Sequence, residues 1–285
     1  MYYGLLGLAG KVSAPSFTGI LDTYTGAAVA YSAARRLSSS YTGALIRVRR
    51  SSDNTEQDIG YDGSNVLDES ALTTFVGANN GFVVKWYDQS GNSNHAVQST
   101  AANQPQIVTS GTVNTQAGLS AGKPCLTFDD TNDFFDLTSL VTTANYTAFV
   151  AQKRTSGSTS SQWISQKTSG SGTRPYAAIL YNTTGTFFMS TYNSSTQITS
   201  TNSTTNYILL TSRWGSTQNI YINNSAITTS TGTDSSSGTG FDVIGRRGPT
   251  EFSGVTNTEI ILYSSDKLSD LTGISNNINT FYSIY

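Results

Sequence analysis

A long series of short segments, rich in β-branched and aromatic residues and bounded by Gly, Asn or Ser, constrains this chain more than any other feature. GFVVKWYD (81–88), KPCLTFD (123–129), YTAFVAQKR (146–154), RPYAAILYN (174–182), GTFFMST (185–191), NYILLTSRW (206–214), NIYINNSAI (219–227), FDVIGRR (241–247) and NTEIILYSS (257–265) are strand-sized, and each is closed by residues that favour turns. Upstream, ALIRVRR (44–50) alternates, with Ala44, Ile46 and Val48 on one face and Arg47 and Arg49 on the other, as a half-buried strand does. The succession predicts an all-β, antiparallel sandwich of jelly-roll type. Three short helices are expected beside it. The Ala-rich GAAVAYSAARRL (26–37) is one. LDESALTTFVG (67–77) is the second, with Asp68 as N-cap and Gly77 as stop. The third is the tail (265–285), which places Leu268, Leu271 and Ile274 on one side.

The 285 residues show no internal repeat and no composition break. All-β units of this size are often single, so one domain is expected over 21–285. Residues 1–20, with Gly4, Gly7, Gly10 and Pro15, read as an arm. Its apolar group Tyr2, Tyr3, Leu5, Leu6 and Leu8 is the expected assembly contact. The opening has no basic stretch before its apolar run and no convincing cleavage site, so it is not expected to act as a signal peptide. No run is long enough to span a membrane as a helix.

Charged residues make up only 12% of the chain and the net charge is −2, so nucleic acid is not an expected partner. The local cluster Arg35, Arg36, Arg47, Arg49 and Arg50 is followed by Asp53, Glu56 and Asp58 and reads as an ion-pair network at a strand end. The single cysteine, Cys125, excludes an internal disulfide and reads as a buried thiol.

The stretch WYDQSGNSNHAVQ (86–98) spaces Asp88, Ser90, Asn92 and Asn94 two residues apart and holds the only histidine, His95. A calcium loop of that spacing would need Gly at its sixth position and Glu at its twelfth, where this chain has Ser93 and Ser99. His95 has no second His or Cys to complete a zinc site. The reading is a turn, with Asp88 and Ser90 bonded to its backbone and Gly91 at positive φ. No metal and no cofactor is expected.

AYSAARRLSSSYTGALIRVRRSSDNTEQDIGY (30–61), VKWYDQSGNSNHAVQ (84–98) and GKPCLTFDDTNDFFDL (122–137) strongly resemble the catalytic domain of fungal-type α-L-arabinofuranosidase B. They also resemble the broader laminin-G/concanavalin-like sandwiches, domains widespread in bacteriophage structural proteins. The resemblance implies a two-sheet jelly roll and a retaining glycosidase with a pair of carboxylates about 5–5.5 Å apart. The family's nucleophile is a Glu in a strand of the form Gly-His-Met-Glu-Ala-Ile-Tyr. Its counterpart here is TRPYAAILY (173–181), where the Glu position falls on Ala177, or on Ala178 one register away. The family's acid/base is an Asp shortly after Ile-Gly. In VIGRRGPTEFSG (243–254) that place falls near Arg246 or Arg247, and the nearest acid is Glu251. The acidic cluster Asp129, Asp133 and Asp136 reads as shaping a turn.

On this reading both carboxylates are replaced. The chain is expected to be a non-enzymatic structural protein of a bacteriophage virion: a capsid decoration, fibre or tail component. It would be made in the host cytoplasm and would form a homo-oligomer, with a trimer natural, beside other virion proteins. A cell-surface glycan would bind through Arg174, Tyr176, Tyr181, Asn182, Arg246 and Arg247. The alternatives are a carbohydrate-binding module outside a virion and an active α-L-arabinofuranosidase-like glycosidase.

Overall fold

The computed structural model describes residues 17–116, 122–142, 145–154, 160–162, 164–165, 177–182, 186–190, 197–201, 206–215, 217–230, 240–247 and 251–285. The arm residues Tyr2, Tyr3, Leu5, Leu6 and Leu8 lie outside them. In chain order the first part holds α1 (Ile20–Thr23), β1 (Ala27–Ser32), β2 (Ile46–Arg50), β3 (Glu56–Ile59), α2 (Glu69–Val76), β4 (Gly81–Trp86), β5 (Ala96–Val97) and β6 (Gln106–Thr109). Next come β7 (Thr112–Val113), β8 (Leu126–Asp129), β9 (Phe135–Thr142), β10 (Tyr146–Arg154), β11 (Ser160–Gln162), β12 (Ile164–Ser165), β13 (Ala177–Asn182), β14 (Thr186–Ser190) and β15 (Gln197–Thr201). The last part adds β16 (Ile208–Trp214), β17 (Gln218–Ile222), β18 (Ser225–Ser230), β19 (Gly240–Ile244), β20 (Arg246–Arg247), β21 (Glu251–Phe252), β22 (Gly254–Tyr263) and α3 (Leu271–Tyr282).

The strands build an antiparallel β-sandwich. One layer runs β1-β22-β10-β16-β17-β18. The other runs β3-β2-β4-β5-β9-β19-β12-β13-β14-β15. β6 bonds to both β4 and β8, and β8 to β22, so the layers are joined along one side. Between them lies a core that includes Tyr31, Trp86, Phe128, Phe135, Val150, Leu210, Phe241 and Ile260. Strand alternation sends the intervening residues Phe149, Ala151, Leu209, Ile261 and Tyr263 to the opposite face. There they pack under α1 and α3 through Ile20, Leu271, Ile274, Ile278 and Tyr282.

Strands covered on both faces lose their polar alternation, which explains the one misread helix. GAAVAYSAARRL forms β1, not a helix. Val29, Tyr31 and Ala33 enter the sandwich core, while Ala27, Ala30 and Ala34 face the helical layer. A doubly buried strand is a near-continuous apolar run, which composition cannot separate from a helix. NIYINNSAI is likewise a hairpin rather than one strand. Asn223 and Asn224 have φ of 52° and 63°, in the left-handed region that tight hairpin turns require and Asn tolerates. The other helices are as expected. Asp68 accepts the Ala71 N–H at 2.8 Å at the start of α2, and Gly77 ends it with φ 61°. Leu271 and Ile274 of α3 are buried, but Leu268 precedes the helix and is 53% exposed.

Of the arginine cluster, two residues pair with the acids that follow it, while Arg36 and Arg49 bond amide and carbonyl oxygens instead. Arg47 forks onto Asp58 at 2.7 and 2.9 Å, and Arg50 pairs with Asp53 at 2.6 Å. Arg35, nearly buried, forks onto the buried Glu259 at 2.8 Å through both nitrogens, and Tyr282 adds an O–H bond to the same carboxylate at 2.9 Å. This network pins α3 to the strand layer.

Candidate active site

The acidic cluster sits on the turn between β8 and β9, and the turn explains its spacing. Asp129 Oδ1 accepts the N–H groups of Thr131 (2.9 Å), Asn132 (3.1 Å) and Asp133 (3.3 Å). Asp133 returns the favour by accepting the Asp129 N–H at 3.1 Å. Asp129 and Asp133 thus have the turn-shaping role expected of them, whereas Asp136 stands on β9 beside Arg246. Asp133 has a second property that its sequence position did not announce. It is 6% exposed, and burial, followed by the neighbouring Asp129 charge, pushes its carboxyl up to about 7, against the opposing pull of the Asp129 N–H.

The Ile-Gly segment meets this turn in space. Gly245 has φ 89°, and a Cβ there would stand 2.6 Å from the Phe128 ring and 3.2 Å from the Asp133 carbonyl oxygen, so only glycine fits. Ser253 N–H donates to the Gly245 carbonyl at 2.9 Å, and Asp130 N–H to the Ser253 carbonyl at 3.1 Å, tying the two turns together. Just beyond, Arg246 lies 3.7 Å from the Phe134 ring centroid and 3.6 Å from Asp136. Phe252, opposite Arg246 in the β20–β21 pair, packs on Phe134 at 6.3 Å. Glu251 is in register with Arg247. The corner therefore gathers carboxylates, guanidinium and aromatic faces, the groups that sugar chemistry uses.

The residues singled out for glycan binding divide as follows. Arg246 and Arg247 stand at this corner on β20. Tyr181 and Asn182 belong to β13, paired with Ser161 and Ser160 of β11, and β11 runs beside β20 and β21. The backbone thus brings the two groups of elements together. Arg174 and Tyr176 lie outside the described residues. Ala177, one of the two positions aligned with the family nucleophile, is opposite Ser165, which is opposite Val243. It stands two ladder steps, about 10 Å, from the strand that leads into Gly245. Sequence reading missed the approach of Asp133 to Gly245. The available signal was the Gly itself, just before the point where the family pattern expects an acid.

The histidine stretch is the turn it was read to be. Asp88 is 2% exposed and accepts Ala30 N–H (2.8 Å), Ser90 N–H (2.9 Å), Ser90 Oγ–H (2.8 Å) and Asn94 N–H (3.0 Å). Both carboxylate oxygens face hydrogen-bond donors, and Gly91 has φ 94°. His95 accepts the Asp88 N–H at 3.2 Å and meets Tyr87 edge-on; burial, then Lys85, lowers its pKa. Among the described residues no group of three or more His, Cys, Asp or Glu converges as metal ligands do. Cys125 is buried, its thiol pushed up to about 11 by burial.

Residues 21–130 match the family described as alpha-L-arabinofuranosidase B, catalytic. Over 98 residues the chain is 41% identical to α-L-arabinofuranosidase B of Aspergillus niger and 40% identical to that of Aspergillus kawachii. Each match covers 33% of this chain, which spans only 19% of the relatives' length. In fold, the chain is similar to an arabinofuranosidase complexed with arabinofuranosyl-α-1,2-xylobiose, with a TM-score of 0.69 and 18% identity, over 93% of this chain and 65% of that one. An α-L-arabinofuranosidase soaked with a cyclic sulfate inhibitor gives 0.67 and 16%, over 92% and 64%. These matches overturn the expectation of a non-enzymatic bacteriophage structural protein located in a virion. The proteins matched in sequence are glycosidases from fungi, and nothing in the matches points to capsid, fibre or tail proteins. The inference from Ala177 and Arg246 to a lost activity fails with it, because it placed the acid by chain position, whereas the fold brings acids to that corner from the β8–β9 turn. Over residues 21–130 the chain is similar in sequence to the arabinofuranosidase B catalytic family, and over nearly its whole length it is similar in fold to part of a solved arabinofuranosidase.

Proposed function

We propose that the chain is a glycoside hydrolase of the α-L-arabinofuranosidase kind, removing arabinofuranosyl groups from a neutral saccharide. The sequence match of residues 21–130 to catalytic domains of that activity carries the reading. The corner at Gly245 supports it chemically. Cleavage of a glycosidic bond needs a carboxylic acid to protonate the leaving oxygen and a second carboxylate to support the developing cation. Asp133 suits the first role, because a carboxyl that titrates near 7 still carries a proton at neutral pH. Phe134 and Phe252 offer apolar faces beside it, and Arg246 supplies donors for sugar hydroxyls. Asp129, Asp136 and Glu251 are the carboxylates available for the second role.

The test is release of 4-nitrophenol from 4-nitrophenyl α-L-arabinofuranoside. The wild type turns it over, and the rate falls as pH rises through about 7, when Asp133 loses its proton. Asp133→Asn lowers kcat by about 10²–10⁴-fold, and one of Asp129→Ala, Asp136→Ala and Glu251→Ala identifies the second carboxylate by a comparable loss. A silent wild type refutes the activity, and full turnover in Asp133→Asn refutes the assignment.

A further inference from the structure

The Asp88 stretch does more than turn the chain. Its outer side forms one wall of a groove of about 510 Å³, within the size of small-ligand sites, at the far end of β9 from Asp136. Along β9, Ser139 stands three residues and Thr142 six residues beyond Asp136, so the groove's lining begins about 10 Å and reaches about 20 Å from the acidic corner. Its lining carries no charged side chain. Ser90, Asn92, Ser139, Thr142 and Ser264 present hydroxyls and an amide, and Leu140 adds an apolar surface that is 50% exposed. Ser139 Oγ, Thr142 Oγ1, Ser264 Oγ and Asn92 Oδ1 have no hydrogen-bond partner within the protein among the described residues. The walls behind them are fixed. Asn94, 6% exposed, holds Ser139 through its N–H and carbonyl at 2.8 Å each, and Asn92 Nδ2 bonds the Ala27 and Ala28 carbonyls at 3.1 and 2.9 Å.

We infer that this groove is a second saccharide-binding site, which holds a stretch of a neutral polysaccharide away from the reacting bond. A lining without charge has nothing to pair a phosphate or a carboxylate, whereas unpaired hydroxyls and an amide around one apolar face match the hydroxyls and C–H faces of a sugar chain. The polysaccharide as ligand follows from the hydrolase reading; the groove's neutrality stands without it.

The experiment measures xylohexaose binding by isothermal titration calorimetry for the wild type, Leu140→Asp and Ser264→Trp, alongside turnover of the aryl arabinofuranoside. Both substituted residues are exposed, so both variants fold. The wild type binds with a Kd of about 1 mM and each variant binds at least about tenfold more weakly, while aryl turnover stays unchanged. No binding by the wild type at about 10 mM, wild-type affinity in both variants, or a joint loss of binding and turnover overturns the second site. Groove-dependent binding in a protein without turnover upholds the groove and removes only the hydrolase reading.

Discussion

Replacing Asp88 by Ala tests how much of the sandwich depends on one buried carboxylate. β1 bonds to β22 on one side, and its other edge is finished by the 88–94 turn. There Ala30 N–H donates to Asp88 and Ala30 carbonyl accepts Gln89 N–H at 2.8 Å. Asp88→Ala strands the Ala30 and Asn94 N–H groups, both buried, at about 1–3 kcal/mol each. The Ser90 groups are only partly buried and regain water. The expected loss is about 3–5 kcal/mol, which for a chain of this size lowers Tm by about 10 °C. Urea unfolding followed by tryptophan fluorescence reports it, since Trp86 adjoins the turn and lies in the core. Asp88→Asn, which keeps one acceptor oxygen, should lose about half as much. A loss below about 1 kcal/mol for Asp88→Ala would mean that water enters the turn, and would refute the view of a dry, rigid scaffold behind the groove.

Asp133 makes a pH prediction whose sign is fixed by the direction of its shift. Its folded-state pKa is raised to about 7, above the ordinary carboxyl value, so the folded state holds a proton that the unfolded chain releases. Its contribution to stability is most favourable below about pH 4 and declines as pH rises to about 7. Asp133→Asn should flatten that decline in urea midpoints measured from pH 4 to 8, and an unchanged slope would exclude the effect. Asn224→Gly should raise Tm, because φ 63° costs a non-glycine residue about 1 kcal/mol; an equal or lower Tm would show that the Asn side chain compensates.

Local chemistry was legible where one segment decides its own structure. YTAFVAQKR predicts β10 to the residue, since its sequence is bounded by Asn145 on one side and the Ser/Gly-rich TSGSTSS on the other and its middle is rich in β-formers. Asp68 and Gly77 mark α2 through its caps. The Asp88 comb reads as a turn because its spacing satisfies its own backbone. What could not be read depends on distant partners. The Ala-rich run becomes β1 because β22, more than two hundred residues later, pairs with it while α3 covers its other face. The raised pKa of Asp133 arises from its burial and from Asp129, and its place beside Gly245 from a strand over a hundred residues away. A reading by chain position looked for an acid after Ile-Gly and found arginines.

The position of β22 bears on how the chain must be made and cut. This strand bonds β1, β8 and β10, yet it begins only at Gly254. A ribosome releases the segment most like the fungal enzymes long before the strand that completes its pairing exists. β1 has no other described ladder partner, so residues 21–130 emerge with an open edge and an uncovered Ala face. The stretch that sequence similarity marks off is not a unit of folding. A fragment cut at its boundary should aggregate or stay unstructured, and its ordering during synthesis must wait for Gly254–Tyr263 to emerge.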